Sequence, residues 1–406
     1  MSVVVSEERA ASLSVGTGFS CKREEFSLPD GVHFLNCAYM SPLSRRVERV
    51  GIESVQRKRN PVDVPPDKYF TVPQRVRSAF ARLVNGGDGS RVALVPSVSY
   101  AMAIAVKHLP MKAGENVIVI GEEFPSAVLP WRKAAKESGA ELRTVSAPNC
   151  DRGRGVLWNE RVYEAIDPAT VAVVMPNVHW SDGTRFDLEA IAARARMVGA
   201  MVIVDGTQSV GALPFDVEKI QPDLLVTAGY KWLMGGYGLS VAYFGPRFDT
   251  AEPIEEVWTS QIGSEDFTQL ARYRDAYRSD ASRFDGGERA HFILAEMLAA
   301  AIEQLLEWGV ENIQSYCDQL TRPWLERLVE GGVWVEDPRW RSAHLFGIRS
   351  RQLEDPKYVA EVLQAHNVHV SVRGDAIRVS PNVYNTEEDL ASLVQALVAS
   401  RFCNPL

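Results

Sequence analysis

The stretch PDLLVTAGYKWLMGGYG, residues 222–238, decides how this chain is read. Leu224–Thr227 is a short apolar, partly β-branched run, the signature of a strand buried on both faces. Glycines and aromatics follow it. Lys231 is the only ionised side chain between Asp223 and Arg247. Two readings of that lysine are open. Flanked by aromatics, it can lay its stem along an apolar surface and keep its ammonium in water. Buried at a strand end, it loses solvent, its pKa falls and its amine becomes a nucleophile.

Outward from this stretch, short apolar runs alternate with helical segments. Val92–Val95, Asn116–Ile120, Glu141–Val145, Val171–Met175, Met201–Asp205 and Ser240–Phe244 read as further strands. Gln74–Leu83, Tyr100–Leu109, Ala127–Ser138 and Leu188–Val198 read as the helices between them. Residues 71–250 therefore read as one doubly wound α/β unit with a mostly parallel sheet covered on both faces. Asn60–Phe70, with three prolines, reads as a loop, and residues 1–30 as weakly ordered. A long helical stretch runs from His291 to Trp308, and Val335–Val398 alternates strand and helix in a smaller unit. The expected division is a segment 1–50 that joins the small domain, a large domain 51–285, and a linking helix with the small C-terminal domain, 286–406.

Composition excludes some partners. Forty-four basic against 52 acidic residues leave a formal charge of −8, unsuited to nucleic acid or an anionic membrane surface. The longest uncharged stretches, such as Val92–Val106, fall short of the roughly twenty residues a membrane span needs. Cys21, Cys37, Cys150, Cys317 and Cys403 are odd in number and scattered, so neither a disulfide framework nor a metal site is expected. Glu7 and Glu8 sit where a signal peptide needs an apolar core. A cytoplasmic protein is the expectation.

Ligands of open parallel sheets gather beyond the C-terminal ends of the strands. After Val92–Val95 comes Pro96-Ser97-Val98-Ser99, which either caps a helix or offers N–H groups and hydroxyls to an anion. After Asn116–Ile120 comes Phe124, either a packed aromatic or a ring laid over a planar ligand. Met201–Val204 delivers Asp205, three residues before Gln208; that carboxylate is a helix cap, a metal ligand or a partner for a buried cation.

Five segments, taken in order and spacing, carry a resemblance: EEFPSAVLPWR (122–132), VHWSDGTRFDL (178–188), VDGTQSVGALPFDV (204–217), residues 222–238, and AIRVSPNVYNTEEDL (376–390). They resemble the class V aminotransferase and cysteine desulfurase family, fold-type I enzymes that depend on pyridoxal 5′-phosphate (PLP). The resemblance runs from about Phe34 to the C-terminus. It implies a large domain with a mostly parallel doubly wound sheet and a smaller α+β domain. It makes Lys231 the Schiff-base lysine and Asp205 the partner of the pyridinium nitrogen. Gln208 is implied to bond the ring 3-oxygen, and Phe124 to stack on the ring, as in the related kynureninase. The Val98 backbone, the Ser99 hydroxyl and Tyr230 are implied to hold the phosphate. Arg378 is implied to grip the substrate α-carboxylate. Trp180 or His179 is implied to line the substrate side, although His179 reads equally as a structural histidine. A homodimer with active sites at its interface is implied, the 258–289 region reaching the partner.

The departures narrow the reaction. Desulfurases carry a nucleophilic cysteine on a loop before the RxS motif; here Val370–Ile377 makes only a turn, with no cysteine between Cys317 and Cys403. Glu288 stands where a relative sends a threonine to the neighbouring phosphate, so either Arg289 compensates or the contact differs. The resulting expectation is an aminotransferase for a small amino acid. A PLP lyase, cleaving C–S or C–C bonds, or an epimerase uses the same residues and is the alternative.

Overall fold

The computed structural model describes residues 19–150, 153–350 and 356–404. A two-residue strand, β1 (His33–Phe34), precedes seven that form the large sheet: β2 (Val92–Val95), β3 (Asn116–Ile120), β4 (Glu141–Val145), β5 (Thr170–Pro176), β6 (Met201–Asp205), β7 (Leu224–Ala228) and β8 (Ser240–Phe244). Their spatial order is β2-β8-β7-β6-β5-β3-β4. β8 runs antiparallel to both of its neighbours and every other pairing is parallel.

Side chains on a strand alternate between faces, so a strand with no polar alternate must be covered twice. Val202 and Val204 enter one core while Met201 and Ile203 enter the other. The first core is closed by helices Lys68–Leu83, Leu188–Met197 and Leu294–Trp308, through residues such as Phe80, Ile191 and Leu298. The second is closed by helices Val98–Lys107 and Pro125–Ser138, through Met102 and Trp131. The α/β, mostly parallel architecture expected of residues 71–250 is the one found.

Several local expectations are corrected. The helix expected from Gln74 starts at Lys68, inside the supposed loop 60–70, and runs through Pro73, which removes one bond to the Tyr69 carbonyl without ending the helix. Val98 rather than Tyr100 opens the next helix, since Ser97 accepts the Tyr100 N–H and so fixes the start. Helix Arg154–Ala165 was not anticipated; no side-chain cap announces it, and its N-cap is Gly153 in the left-handed region. The stretch expected from His291 begins at Leu294 and is followed, across Gly309, by Val310–Glu330. Of the segment expected to be weakly ordered, residues 1–18 lie outside the described residues. Residues 19–30 are placed, with the Lys22 N–H donating to Val383 O at 2.7 Å and Phe26 packed edge-on against Tyr384.

The C-terminal part forms a four-stranded antiparallel sheet from β9 (Val333–Val335), β10 (Phe346–Ser350), β12 (Ser371–Arg373) and β13 (Ala376–Val379), in the order β12-β13-β10-β9. Between them β11 (Val368–His369) pairs in parallel with β1. The N-terminal segment is fastened here again by His33, whose Nδ1 lies 2.8 Å from Asp389 and whose Nε2 lies 3.0 Å from Ser392 Oγ. No helix among the described residues is long and apolar enough to cross a membrane.

Candidate active site

Register brings the strand ends together. Pro176 pairs with Asp205 across β5 and β6, and Asp205 with Val226 across β6 and β7. The segments that follow β5, β6 and β7 therefore leave the sheet side by side, with the segment after β3 next to them. Gly211, at φ +104°, lets the chain after β6 approach the lysine segment; a Cβ there would sit 2.3 Å from Trp232 O.

Lys231 is 8% exposed. Its Nζ lies 5.6 Å from the Phe124 ring centre and 5.7 Å from that of Tyr230. Burial pushes the amine down to about 8; Asp205 opposes the shift, and Arg378 and Arg373 add to it. Asp205 is 7% exposed, and its Oδ1 accepts the Thr207 N–H at 2.9 Å. Burial raises its pKa against those Thr207 bonds and the charge of Lys231. The carboxylate thus caps no helix. Gln208 has both ends of its amide engaged: Nε2 donates to Ala38 O at 3.1 Å, and Oε1 accepts the Trp232 indole N–H at 2.8 Å. One amide proton remains for a further acceptor.

Of the residues singled out from the sequence, Val98, Phe124, Trp180, Asp205, Gln208, Tyr230 and Lys231 line one cavity of about 300 Å³. Ser99, His179 and Arg378 do not. Ser99 Oγ lies 2.9 Å from Ser97 Oγ, and it is Ser97 that faces the cavity and caps the helix. His179 is fully buried, its Nδ1 3.2 Å from Asp182 and its ring edge-on to Trp158. Asp182 outweighs burial and raises the histidine's pKa. Arg378 is 2% exposed and donates to Trp180 O at 2.9 Å and to Ser371 Oγ at 3.3 Å.

Three wall residues escaped the sequence reading. Tyr237 faces the Tyr230 ring at 4.5 Å. The Thr207 hydroxyl accepts the Ala228 N–H at 3.1 Å and ties the β6 loop to the end of β7. Glu123 accepts the Phe124 N–H on Oε1 at 2.5 Å, while its buried Oε2 has no partner. Burial pushes this carboxyl up to about 7. Only the alternation of faces after β3 hinted at Glu123, and two adjacent glutamates read as solvated.

The sequence pattern described as "Aminotransferase class-V" matches residues 68–393, which spans every cavity residue named above. The chain belongs to the class V aminotransferase family. This class V chain is 27% identical to YcbU, an uncharacterized aminotransferase of Bacillus subtilis, over 80% of its own length and 82% of the relative's. It is 28% identical to a probable cysteine desulfurase of Halalkalibacterium halodurans over 70% of each chain. Among solved structures, a C-DES mutant with glycine covalently linked to its PLP cofactor superposes with a TM-score of 0.82 at 18% identity, covering 92% of this chain and 98% of that one. That likeness is one of fold.

Class V enzymes use PLP and act on amino acids. The residues here fit that cofactor. A buried amine, a buried carboxylate and aromatic rings share one wall, and the helix Val98–Lys107 turns its N-terminus toward the same cavity. Cys37 and Cys317 are fully buried, with burial pushing the Cys37 thiol up to about 12 and Cys317 higher still. None of the five cysteines lines the cavity. Of the two readings of Glu288, a compensating Arg289 or a different contact, the pairing of Arg289 with Asp285 at 2.5 Å, beside Arg77, favours the second.

Proposed function

We propose that this enzyme is a PLP-dependent aminotransferase for a small amino acid, with Lys231 as the cofactor's covalent anchor. One observation carries the reading: the amine of Lys231 and the carboxylate of Asp205 are both buried in the wall of a single cavity. PLP, when bound, supplies an electron-poor ring that spreads the negative charge left at a substrate's α-carbon. Everything else falls to the protein. Lys231, with its pKa brought down to about 8, takes and returns the α-proton near neutral pH. Asp205 holds a positive charge on the ring nitrogen, and that charge offsets the cost of keeping the carboxylate buried. Phe124 would lie against the ring, Gln208 would offer its remaining amide proton, and Ser97, Val98 and Tyr230, with Ser99 bonded behind Ser97, would take the phosphate at the helix N-terminus. Arg378, held by Trp180 and Ser371, takes the α-carboxylate.

Glu123 favours a second reading, a lyase or epimerase, because both reactions need a second group that moves a proton. A carboxyl brought to about 7, with one oxygen unpaired, is suited to that task. Desulfurase chemistry has less support, since no thiol stands at the cavity.

The test is a single-turnover incubation of the purified holoenzyme with a panel of amino acids, read by cofactor absorption and product analysis. Transamination converts the cofactor to its amine form and releases a keto acid in equal amount. Release of a keto acid, sulfide or alanine with the cofactor unchanged, or inversion at Cα, would establish the second reading and overturn the first.

A further inference from the structure

Two guanidinium groups converge on Trp180, and among the described residues neither is paired with a carboxylate. Arg378 is almost wholly buried and bonds only neutral oxygens, of Trp180 and Ser371, while its Nε has no partner. Arg373, on the neighbouring strand β12, lies 5.8 Å from the centre of the Trp180 ring and donates to Val372 O at 2.9 Å. Among the described residues no carboxylate pairs with it. Two carboxylates close in sequence to Arg373 and Trp180 are engaged elsewhere: Asp375 binds Arg349 at 3.0 Å, and Asp182 binds Arg154 at 2.8 Å and Arg349 at 3.2 Å.

The pair acts as one electrostatic unit. Burial, with the charge of Arg373 adding to it, lowers the pKa of Arg378 to about 9. Both arginines also depress Lys231. A buried cation without a counter-ion is costly, and a second cation beside it adds to that cost. An α-carboxylate neutralises one of the two charges and leaves the other. Trp180, which lines the cavity, connects both to it: its carbonyl holds Arg378, its ring lies under Arg373, and its indole N–H is anchored on Glu122 O at 2.6 Å.

We propose that Arg373 determines specificity by binding a second anionic group on the substrate, so that the enzyme acts on small amino acids with an acidic side chain: a carboxylate, sulfinate or phosphonate. This rests on the PLP reading of the site and adds its substrate class. Arg378 takes the α-carboxylate and Arg373 the side-chain anion, over the Trp180 ring.

The test compares kcat/KM of the holoenzyme for aspartate, glutamate and cysteine sulfinate with that for alanine, asparagine and glutamine. We expect the acidic set to be preferred on the order of 100-fold, the scale of a desolvated charge pair. Arg373→Gln should collapse that ratio toward one, and Arg373→Lys should restore part of it. A loss of structure would lower both sets together and leave the ratio standing. Calorimetry of the holoenzyme with succinate and butyrate adds a readout without turnover: succinate should bind more tightly, and Arg373→Gln should remove the difference. Preference for the neutral set, or a ratio untouched by Arg373→Gln, overturns the assignment while leaving the PLP reading intact. If no amino acid alters the cofactor spectrum, the PLP reading fails and this inference fails with it.

Discussion

Lys231 owes its chemistry to its surroundings rather than to its type. A solvated lysine holds its proton until far above neutrality; here burial outweighs the favourable charge of Asp205 and the proton is held only to about pH 8. Because the shift is downward, the amine is free above that pH and protonated below it. Attachment of added PLP to the apoprotein, trapped with borohydride, should therefore accelerate with rising pH and level off above a midpoint near 8. Lys231→Ala should abolish the trapped product; a covalent adduct that persists in that variant removes Lys231 from its role. Lys231 and Asp205 were legible because Asp205 ends an otherwise apolar strand and Lys231 stands alone as a charge in the apolar, glycine-rich stretch that follows another. Arg373 and Glu123 were not. Their meaning depends on what folds against them, and Trp180 meets Arg378 across a separation of 198 residues. Arg378 was singled out only through a family motif, and nothing in its spacing showed that its partners are a carbonyl and a hydroxyl.

At the level of elements, β2, β3, β6 and β8 have the bounds expected from sequence, because largely apolar or β-branched runs between turn residues leave little choice of ends. Helix starts were harder: Ser97 and Pro73 act through hydrogen bonds made or missing within one turn, and pattern averages over such detail. The segment after β5 shows what pattern cannot reach. Gly183, at φ +75°, closes a turn whose carbonyl accepts the Ser342 N–H, and a Cβ there would lie 2.0 Å from Leu345 O. This turn presents Trp180 to the cavity and Asp182 to Arg154 and Arg349. Gly183→Ala should destabilise the protein by roughly 3 kcal/mol, combining steric overlap with a left-handed backbone. Denaturant titration checks this, and a midpoint equal to wild type would show that the contact is not enforced.

For the whole molecule, the homodimer implied by family resemblance is our expectation. Trp258, Ile262, Phe267, Leu270 and Tyr273, between 38% and 94% exposed, form an apolar stretch within the region expected to meet the partner. Trp258 and Phe267 pack on Tyr69, so the stretch is held against helix Lys68–Leu83 rather than hanging free. Light scattering should give twice the 45.0 kDa chain mass, and Leu270→Glu with Tyr273→Glu should shift the protein to the monomer and lower turnover. A wild-type monomer with full activity would end this expectation. The pairing of β1 with β11, and of His33 with Asp389 356 residues later, has a consequence for biosynthesis. As the ribosome extends the chain, His33–Phe34 emerges before every strand of the large sheet, but its own sheet partner emerges after all of them. The large sheet can assemble while the nascent chain is still tethered, yet β1 must wait, without its sheet partner, until Val368–His369 has been made. A stalled ribosome or a premature stop codon after residue 330 would therefore release a chain whose large sheet is complete but whose first strand has nothing to join, an open edge suited to capture by a chaperone or by another such chain.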